Sequence, residues 1–553
     1  MRKLNKWIRY IIYLCLGFLG LILLFAVYLY NVAIVKPPII KNENVLKIER
    51  TQIDTNCYTI GKNWIRKSKS GLWEMYVEGD AFERGVINGK LSKELIYIQE
   101  IAFNDKICKL IPSSFYRNFL KYFIGWFNRD LEKNLTEEQK LEIYGVSNSA
   151  SAEFNYIGSP YQRMMNYHAA HDIGHALQNM ALVGCSSFAT WNEKSEDSTL
   201  IVGRNFDFFV DDKFAENKII EFCAPTNGYK FMMVTWGGMT GVLSGMNMEG
   251  ISVTINSAKS TIPKGAATPI SLLSREILQY SKSIDDAISI ARKRKTFVSE
   301  SIFIGSAKDN KAIVIEKNPD TMDIYSTNIN ELICTNHYQG NSFINDEANK
   351  TQMHESASVY RNLRIHELLS TISKNTPQQT AALLRNQLGL KNKFIGYGNE
   401  KAVNQLICHH SIIFEPGKKL AWVSTSPWQL GEYICYDLNK IFSMNGLKKN
   451  VELCDSLKTI PADSFINSIS LKNFLLFKKA TQDLRNNRAI DLKYYVNLNP
   501  EYYHTFVVAG DYLFKKSEFK KAETYYSIAL TKVIATKNEE NYIRTRIEKC
   551  KSH

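Results

Sequence analysis

The run from Tyr10 to Val35 carries no Asp, Glu, Lys or Arg, which marks it as a membrane span. It exceeds the ~20 residues that a helix needs to cross a bilayer. Arg2, Lys3, Lys6 and Arg9 crowd the short segment before it, whereas Lys36, Lys41 and Lys47 are spread out behind it. By the positive-inside bias the N-terminus stays in the cytoplasm and the bulk of the chain lies outside. A cleaved signal peptide is the alternative, but the run is long for one. It also passes through Tyr28, Tyr30 and Asn31 without a small-x-small cleavage site. The expected layout is therefore a basic tail at 1–9, an uncleaved single-pass anchor at 10–35 and a polar stalk at 36–69.

Behind the stalk there is chain enough, 553 residues in all, for three or four average domains or one large enzyme domain with attachments. Hydrophobic residues at 45% and aromatics at 12% exclude a disordered chain. The net charge of +14 is scattered over Lys-rich stretches instead of forming a block, so no nucleic-acid partner is expected. Ten cysteines occur without CxxC or zinc-ribbon spacing, and no structural metal is expected.

Periodicity divides the remainder. Residues 70–184 read as mostly helical, with a Gly-punctuated turn at Gly79, Gly85 and Gly89 and helical spacing over Ser92–Phe103 and Thr136–Phe154. From Gly184 short β-rich runs follow at Gly184–Trp191, Thr199–Phe209, Lys230–Trp236, Gly241–Met246 and Gly250–Asn256. Helices are predicted from Pro269 to Tyr280, from Ile284 to Arg294 behind Ser283, and over Ser356–Ile372. Further strands are predicted at Ser301–Ser306, Lys311–Glu316, Glu331–Thr335, Gln405–Phe414 and Leu420–Thr425. This order fits an α+β domain of antiparallel sheets covered by helices over 185–445. In the helical extension, 446–553, the residues Gly510, Phe519, Ala522, Tyr526 and Ala529 match one tetratricopeptide-type hairpin. A plain helical cap on the main domain fits them equally.

The chemistry concentrates at Gly184-Cys185-Ser186-Ser187, followed by Gly203-Arg204-Asn205-Phe206-Asp207. A thiol opening one strand and Arg-x-x-Asp on the next place a nucleophile, a cation and a carboxylate at the end of one hairpin. Arginine lowers a neighbouring thiol's pKa, and a carboxylate orients an adjacent amine. A lone Gly-Cys step would carry little weight, since free cysteine usually only packs. A second cluster, His168, His171 and His175 beside Asp172, falls on one helical face. With no HExxH present, it reads as helix packing or pocket lining before it reads as zinc.

Several segments in order resemble the autoproteolytic acyltransferases among the N-terminal-nucleophile (Ntn) hydrolases, the family of acyl-coenzyme A:6-aminopenicillanic acid acyltransferase. Choloylglycine hydrolases and acid ceramidase are more distant relatives of it. The segments run from Met75 to Pro427: Gly79-Asp80-x-x-Glu83-Arg84-Gly85-x-x-x-Gly89, Gly184-Cys185, Gly203-Arg204-Asn205-x-Asp207, Ser244-Gly245-Met246-Asn247-x-x-Gly250, Thr335-Asn336-His337-Tyr338 and Ser358-x-x-Arg361. The resemblance implies a four-layer αββα sandwich made as a precursor that cuts itself between Gly184 and Cys185. The freed α-amine, with a reference pKa of about 7.7 to 8.0, then serves as base for its own thiol. In this scheme Asp207 orients the amine and Arg204 flanks the thiolate. Asn336, with Asn247 as second candidate, stabilises the oxyanion, and Arg361 ties the site together. Trp191–Ser198 makes the Cys185–Asp207 hairpin longer than the family pattern.

The expected function is a self-processing, membrane-anchored N-acyl amide hydrolase or acyltransferase that passes through a thioester at Cys185. It needs no cofactor or metal and acts on an acylated small molecule or lipid outside the cytoplasm. The rival is a tethered interaction protein with an inert enzyme-like domain, whose C-terminal helices bind a protein partner.

Overall fold

The structure, a computed structural model, describes residues 6–177, 184–208, 215–259, 266–448 and 450–552, with backbone alone at 110 and 170–177. Its strands are β1 (Thr51–Asp54), β2 (Cys57–Ile60), β3 (Asn63–Lys67), β4 (Trp73–Gly79), β5 (Ser186–Thr190), β6 (Ile201–Phe206), β7 (Ile219–Pro225), β8 (Phe231–Thr235), β9 (Ser244–Asn247), β10 (Ile251–Ser257), β11 (Glu300–Ser306), β12 (Lys311–Lys317), β13 (Met322–Tyr325), β14 (Glu331–Cys334), β15 (His410–Glu415), β16 (Leu420–Ser424) and β17 (Tyr433–Asp437). They form an 11-stranded sheet, β1-β2-β3-β4-β7-β8-β9-β10-β11-β12-β13, and a 6-stranded sheet, β14-β5-β6-β15-β16-β17. Every pairing is antiparallel except β4 with β7.

The two sheets pack face to face. Trp64, Phe222 and Phe303 of the larger meet Val202, Phe414 and Tyr436 of the smaller in one buried cluster. On the larger sheet's other face, Met75, Val253 and Ile304 lie under Leu273 and Ile277 of the helix Ile270–Tyr280 and Ala287 of the helix Ile284–Lys293. On the smaller sheet's other face, Phe188, Ile413 and Trp422 lie under Ile365 and Leu369 of Ser358–Ser370 and Leu384 of Pro377–Leu384. Helices, sheet, sheet and helices therefore succeed one another in layers. Strands buried on both faces have no need to alternate, which is why β7 and β11 are buried at every residue.

Three expectations fail. The stalk ends early, because β1 to β3 occupy Thr51–Lys67 and edge the larger sheet. Their polarity hid them: β1 is mostly exposed, and its tight connection to β2 turns at Asn56, which takes a φ of 55°. The segment after Leu72 opens with β4, not a helix. Gly85 and Gly89 then sit inside the helix Ala81–Leu91 instead of in a turn. They let that helix approach Glu137–Ser147: a Cβ at Gly85 would lie 2.2 Å from the Glu142 carbonyl oxygen. Lastly, the strand expected from Gln405 starts only at His410, so 405–409 is a free-running approach to β15. Other strand ends shift by a residue or two, and Phe209, the expected end of β6, lies outside the described residues.

The helix Lys6–Ala33 is long and apolar enough to span a membrane, and all its side chains before Ala33 are exposed except the half-buried Leu29 and Val32. Ala33 packs on Gly125 of the helix Ser114–Phe127, and its carbonyl accepts from Gln162 Nε2 at 2.5 Å. At the other end, Tyr503–Lys515 and Phe519–Ala529 form a helical hairpin with Gly510 against the Tyr526 ring. These helices share a core with Leu406, Trp428 and Leu430 of the layered domain.

Candidate active site

Cys185 stands one residue before β5, whose pairing with β6 sets Ser186 opposite Asn205 and Ser187 opposite Arg204. The hairpin therefore delivers thiol and guanidinium to one place, with Arg204 Nη2 3.9 Å from Cys185 Sγ. Arg204 is fully buried, and its remaining contacts are neutral. Nη1 donates to Leu243 O at 2.8 Å and to Ser244 Oγ, Nη2 donates to Ile255 O, and the group stacks on Phe206 at 4.5 Å. Acceptors without formal charge hold the cation and leave its field to act on the thiol. Burial nonetheless wins at the thiol, raising Cys185 to about 11 against the pull of Arg204. Cys185 is therefore protonated, a thiol, at neutral pH.

Asp207 follows β6 and is fully buried. Burial lifts its carboxyl to about 7, against the opposing charges of Arg361 and Arg204. Its main-chain oxygen accepts from Gly184 N at 3.1 Å, which fixes the residue before Cys185 to the carboxylate-bearing one. Oδ1 has no hydrogen-bond partner among the described residues.

A second pair faces this group. Arg361, on the helix Ser358–Ser370, donates through Nη2 to Asn336 Oδ1 at 2.5 Å and through Nη1 to Glu400 O at 2.8 Å. Asn336 lies beyond β14 and gives its amide to Ser257 O at 2.9 Å and Ser257 Oγ at 3.1 Å. Arg361 reaches Asp207 and Cys185 through its charge. Asn247 is placed differently. Its amide donates to Leu278 O at 2.7 Å and Ser281 O at 2.8 Å, and its oxygen accepts from the main chain of Glu249 and Ile251. With all four positions engaged, it secures the turn between β9 and β10 to a helix end and has no donor left for an oxyanion.

Sequence reasoning missed Gln405. Its Nε2 donates to Gly184 O at 2.8 Å and lies 3.4 Å from Asp207 Oδ2. No local pattern marks it, because it arrives from 405–409 after a separation of 221 residues. Also missed was the support behind Arg204. Ser244 Oγ contacts His410 Nε2 at 2.8 Å, and His410 Nδ1 lies 2.8 Å from His409 Nδ1. Burial holds both imidazoles neutral, far below their ordinary pKa. The adjacent His-His in the sequence was the available signal.

His168 is a packing residue. Nδ1 bonds Met164 O at 2.7 Å and Nε2 accepts from Thr240 N at 2.8 Å, which pins the helix Pro160–Leu177 to the loop before β9. The side chains of His171 and His175 lie outside the described residues.

Residues 191–426 match the family model described as acyl-coenzyme A:6-aminopenicillanic acid acyl-transferase. The match takes in Arg204, Asp207, Asn336, Arg361 and Gln405 and begins just after Cys185. It agrees with the family resemblance seen in the motifs. An uncharacterised protein of Archaeoglobus fulgidus is 23% identical over 272 residues, 46% of this chain and 45% of that protein. The protein dcd1B of Dictyostelium discoideum is 21% identical over 274 residues, 45% of this chain and 51% of that protein. The chain thus spans about half the length of the curated relatives it matches. Among solved structures, an N-acylethanolamine-hydrolyzing acid amidase orthologue from Caenorhabditis elegans is 19% identical with a TM-score of 0.32, covering 42% of this chain and 93% of its own. A conjugated bile acid hydrolase from Clostridium perfringens is 11% identical with a TM-score of 0.31, covering 46% and 93%.

Proposed function

We propose that the protein is a self-processing cysteine Ntn hydrolase, its layers the αββα sandwich of that class, which hydrolyses or transfers the acyl group of an N-acyl amide through a thioester at Cys185. The observation that carries this reading is the trio at the strand ends. A buried thiol lies 3.9 Å from a guanidinium that is otherwise held only by neutral acceptors, and a carboxylate-bearing residue is bonded through its main chain to Gly184. Cleavage before Cys185 creates an α-amine beside the thiol and next to Asp207. That amine takes the thiol proton as the thiolate attacks the substrate carbonyl, and Arg204 stabilises the thiolate. Asn336 is assigned as the oxyanion donor on the family resemblance of its segment: its amide is engaged as fully as that of Asn247, but one of its acceptors is the Ser257 hydroxyl, a side chain that can rotate aside, whereas both acceptors of Asn247 are main-chain carbonyls.

The helix Lys6–Ala33 is the anchor in this reading, with the layered domain on the far side of the membrane, where coenzyme A thioesters are scarce. Hydrolysis of a long-chain amide, or transfer from a lipid donor, is then the favoured chemistry. Alkaline phosphatase fused at the C-terminus should be active, since it folds only where disulfides form. Activity of a cytoplasm-dependent reporter alone would reverse the orientation.

The direct test incubates the purified protein with long-chain N-acyl amides, quenches with acid and weighs the peptide that begins at Cys185. An acyl adduct on that cysteine is expected. Its absence across acyl donors, with an unreactive thiol, supports instead a tethered interaction protein whose tail binds partners.

A further inference from the structure

Gln405 is buried, and its side chain lies against the one peptide bond the proposed function requires the protein to break. Nε2 donates to the carbonyl oxygen of Gly184 at 2.8 Å. The amide's orientation is set by Gly184 O, a main-chain carbonyl that can only accept. A second observation concerns the glycine. A Cβ on residue 184 would come within 2.3 Å of Gln405 Nε2 and 2.5 Å of Oε1, so glycine there is what lets the amide reach the carbonyl.

We infer that Gln405 is the oxyanion donor of self-cleavage. The inference rests on the reading that the chain is cut between Gly184 and Cys185. In the first step Sγ bonds to the carbonyl carbon of Gly184, the carbonyl electrons move onto its oxygen, and the thiol proton passes to Asp207. As the oxyanion collapses, the bond from carbon to the Cys185 nitrogen breaks, and the nitrogen takes that proton to become the α-amine. Water then hydrolyses the thioester, leaving a carboxylate at Gly184 and a free thiol at Cys185. The negative charge of the first step develops on the atom that Gln405 already touches. A preplaced donor is worth most there, in a dry site that needs no reorganisation. Gln405 thereby differs from Asn336, which is assigned to the acyl substrate after the cut.

The test follows the full chain from the moment of cell-free synthesis into detergent, by denaturing electrophoresis, with N-terminal sequencing of the product. Gln405→Leu should slow cleavage by ~10²–10³-fold. Gln405→Glu separates donation from packing. Its carboxylate repels the oxyanion at pH 8, whereas its protonated form donates an O–H. Its rate relative to wild type at the same pH should therefore rise as pH falls to 5. Cleavage of Gln405→Leu at the wild-type rate, or a constant ratio of Gln405→Glu to wild type across pH, overturns the inference. If Gln405→Leu shows no cooperative thermal unfolding, the Gln405→Glu ratio decides alone. A wild-type chain cut elsewhere, or not at all, sinks the underlying reading itself, and sequencing distinguishes the two failures.

Discussion

In the proposed mechanism Arg204 and Asp207 divide the work of making a buried thiol reactive. Arg204 sits among carbonyl and hydroxyl oxygens, so its charge is not cancelled before it reaches Sγ. Asp207 is raised to about 7 by burial, against the pull of Arg361 and Arg204. A raised acid is neutral below its pKa and a competent base only above it. Self-cleavage that hands the thiol proton to Asp207 should therefore speed up about tenfold per pH unit from 5 towards 7 and level off beyond. Asp207→Asn should flatten the profile and slow the cut by ~10²-fold or more. A wild-type rate indifferent to pH between 5 and 8 would remove Asp207 from that role. The two residues were legible because they lie close in sequence to Cys185 on one hairpin. Gln405 was not, since its part depends on a tertiary approach from a loop without a motif. Asn247 shows the converse: a residue in a recognisable segment whose hydrogen bonds are spent on a turn.

At the level of elements, the segment before the proposed cut is built into the same sheet as the segment after it. β4 pairs with β7 over seven registered residues, Trp73 with Ile219 through Gly79 with Pro225. Above that sheet Glu142 receives buried bonds from Arg84 on its own side of the cut and from Arg275 on the other, at 2.6 and 3.2 Å. Burial opposes its ionisation, yet Arg275 and Arg84 outweigh it and hold the carboxyl down to about 2. Separating the pieces would expose sheet edges and take Arg275 away from Glu142, leaving it Arg84 alone. Residues 1–184 and 185–553 should therefore travel together through size exclusion in mild detergent and part only on denaturation. Dissociation under native conditions would contradict this account of the sheet. Most strands after Gly184 were legible from apolar runs between turn residues. β7 escaped because Glu221 interrupts its apolar run, although that carboxyl is buried and bonded to Asn88 at 3.0 Å.

Across the whole molecule, both ends converge on the layered domain. The C-terminal helices share a core with Leu406, Trp428 and Leu430, and Tyr502 and Tyr503 bond the carboxyl of Glu400, whose main chain holds Arg361. The tail thus packs as a cap against the loop that holds Arg361, one of the two arrangements its hairpin pattern left open. At the N-terminal end, the apolar helix meets the domain through Ala33 on Gly125, beside the exposed rings of Phe115, Phe119 and Phe123. In the proposed mechanism Cys185 becomes the N-terminus of its own catalytic chain. N-terminal sequencing of the purified, denatured protein tests it most directly. Two chains are expected, one beginning Cys185-Ser186-Ser187, and a single uncut chain for Cys185→Ala. A wild-type protein that stays whole, or a cut that leaves Cys185 inside a fragment, would contradict it.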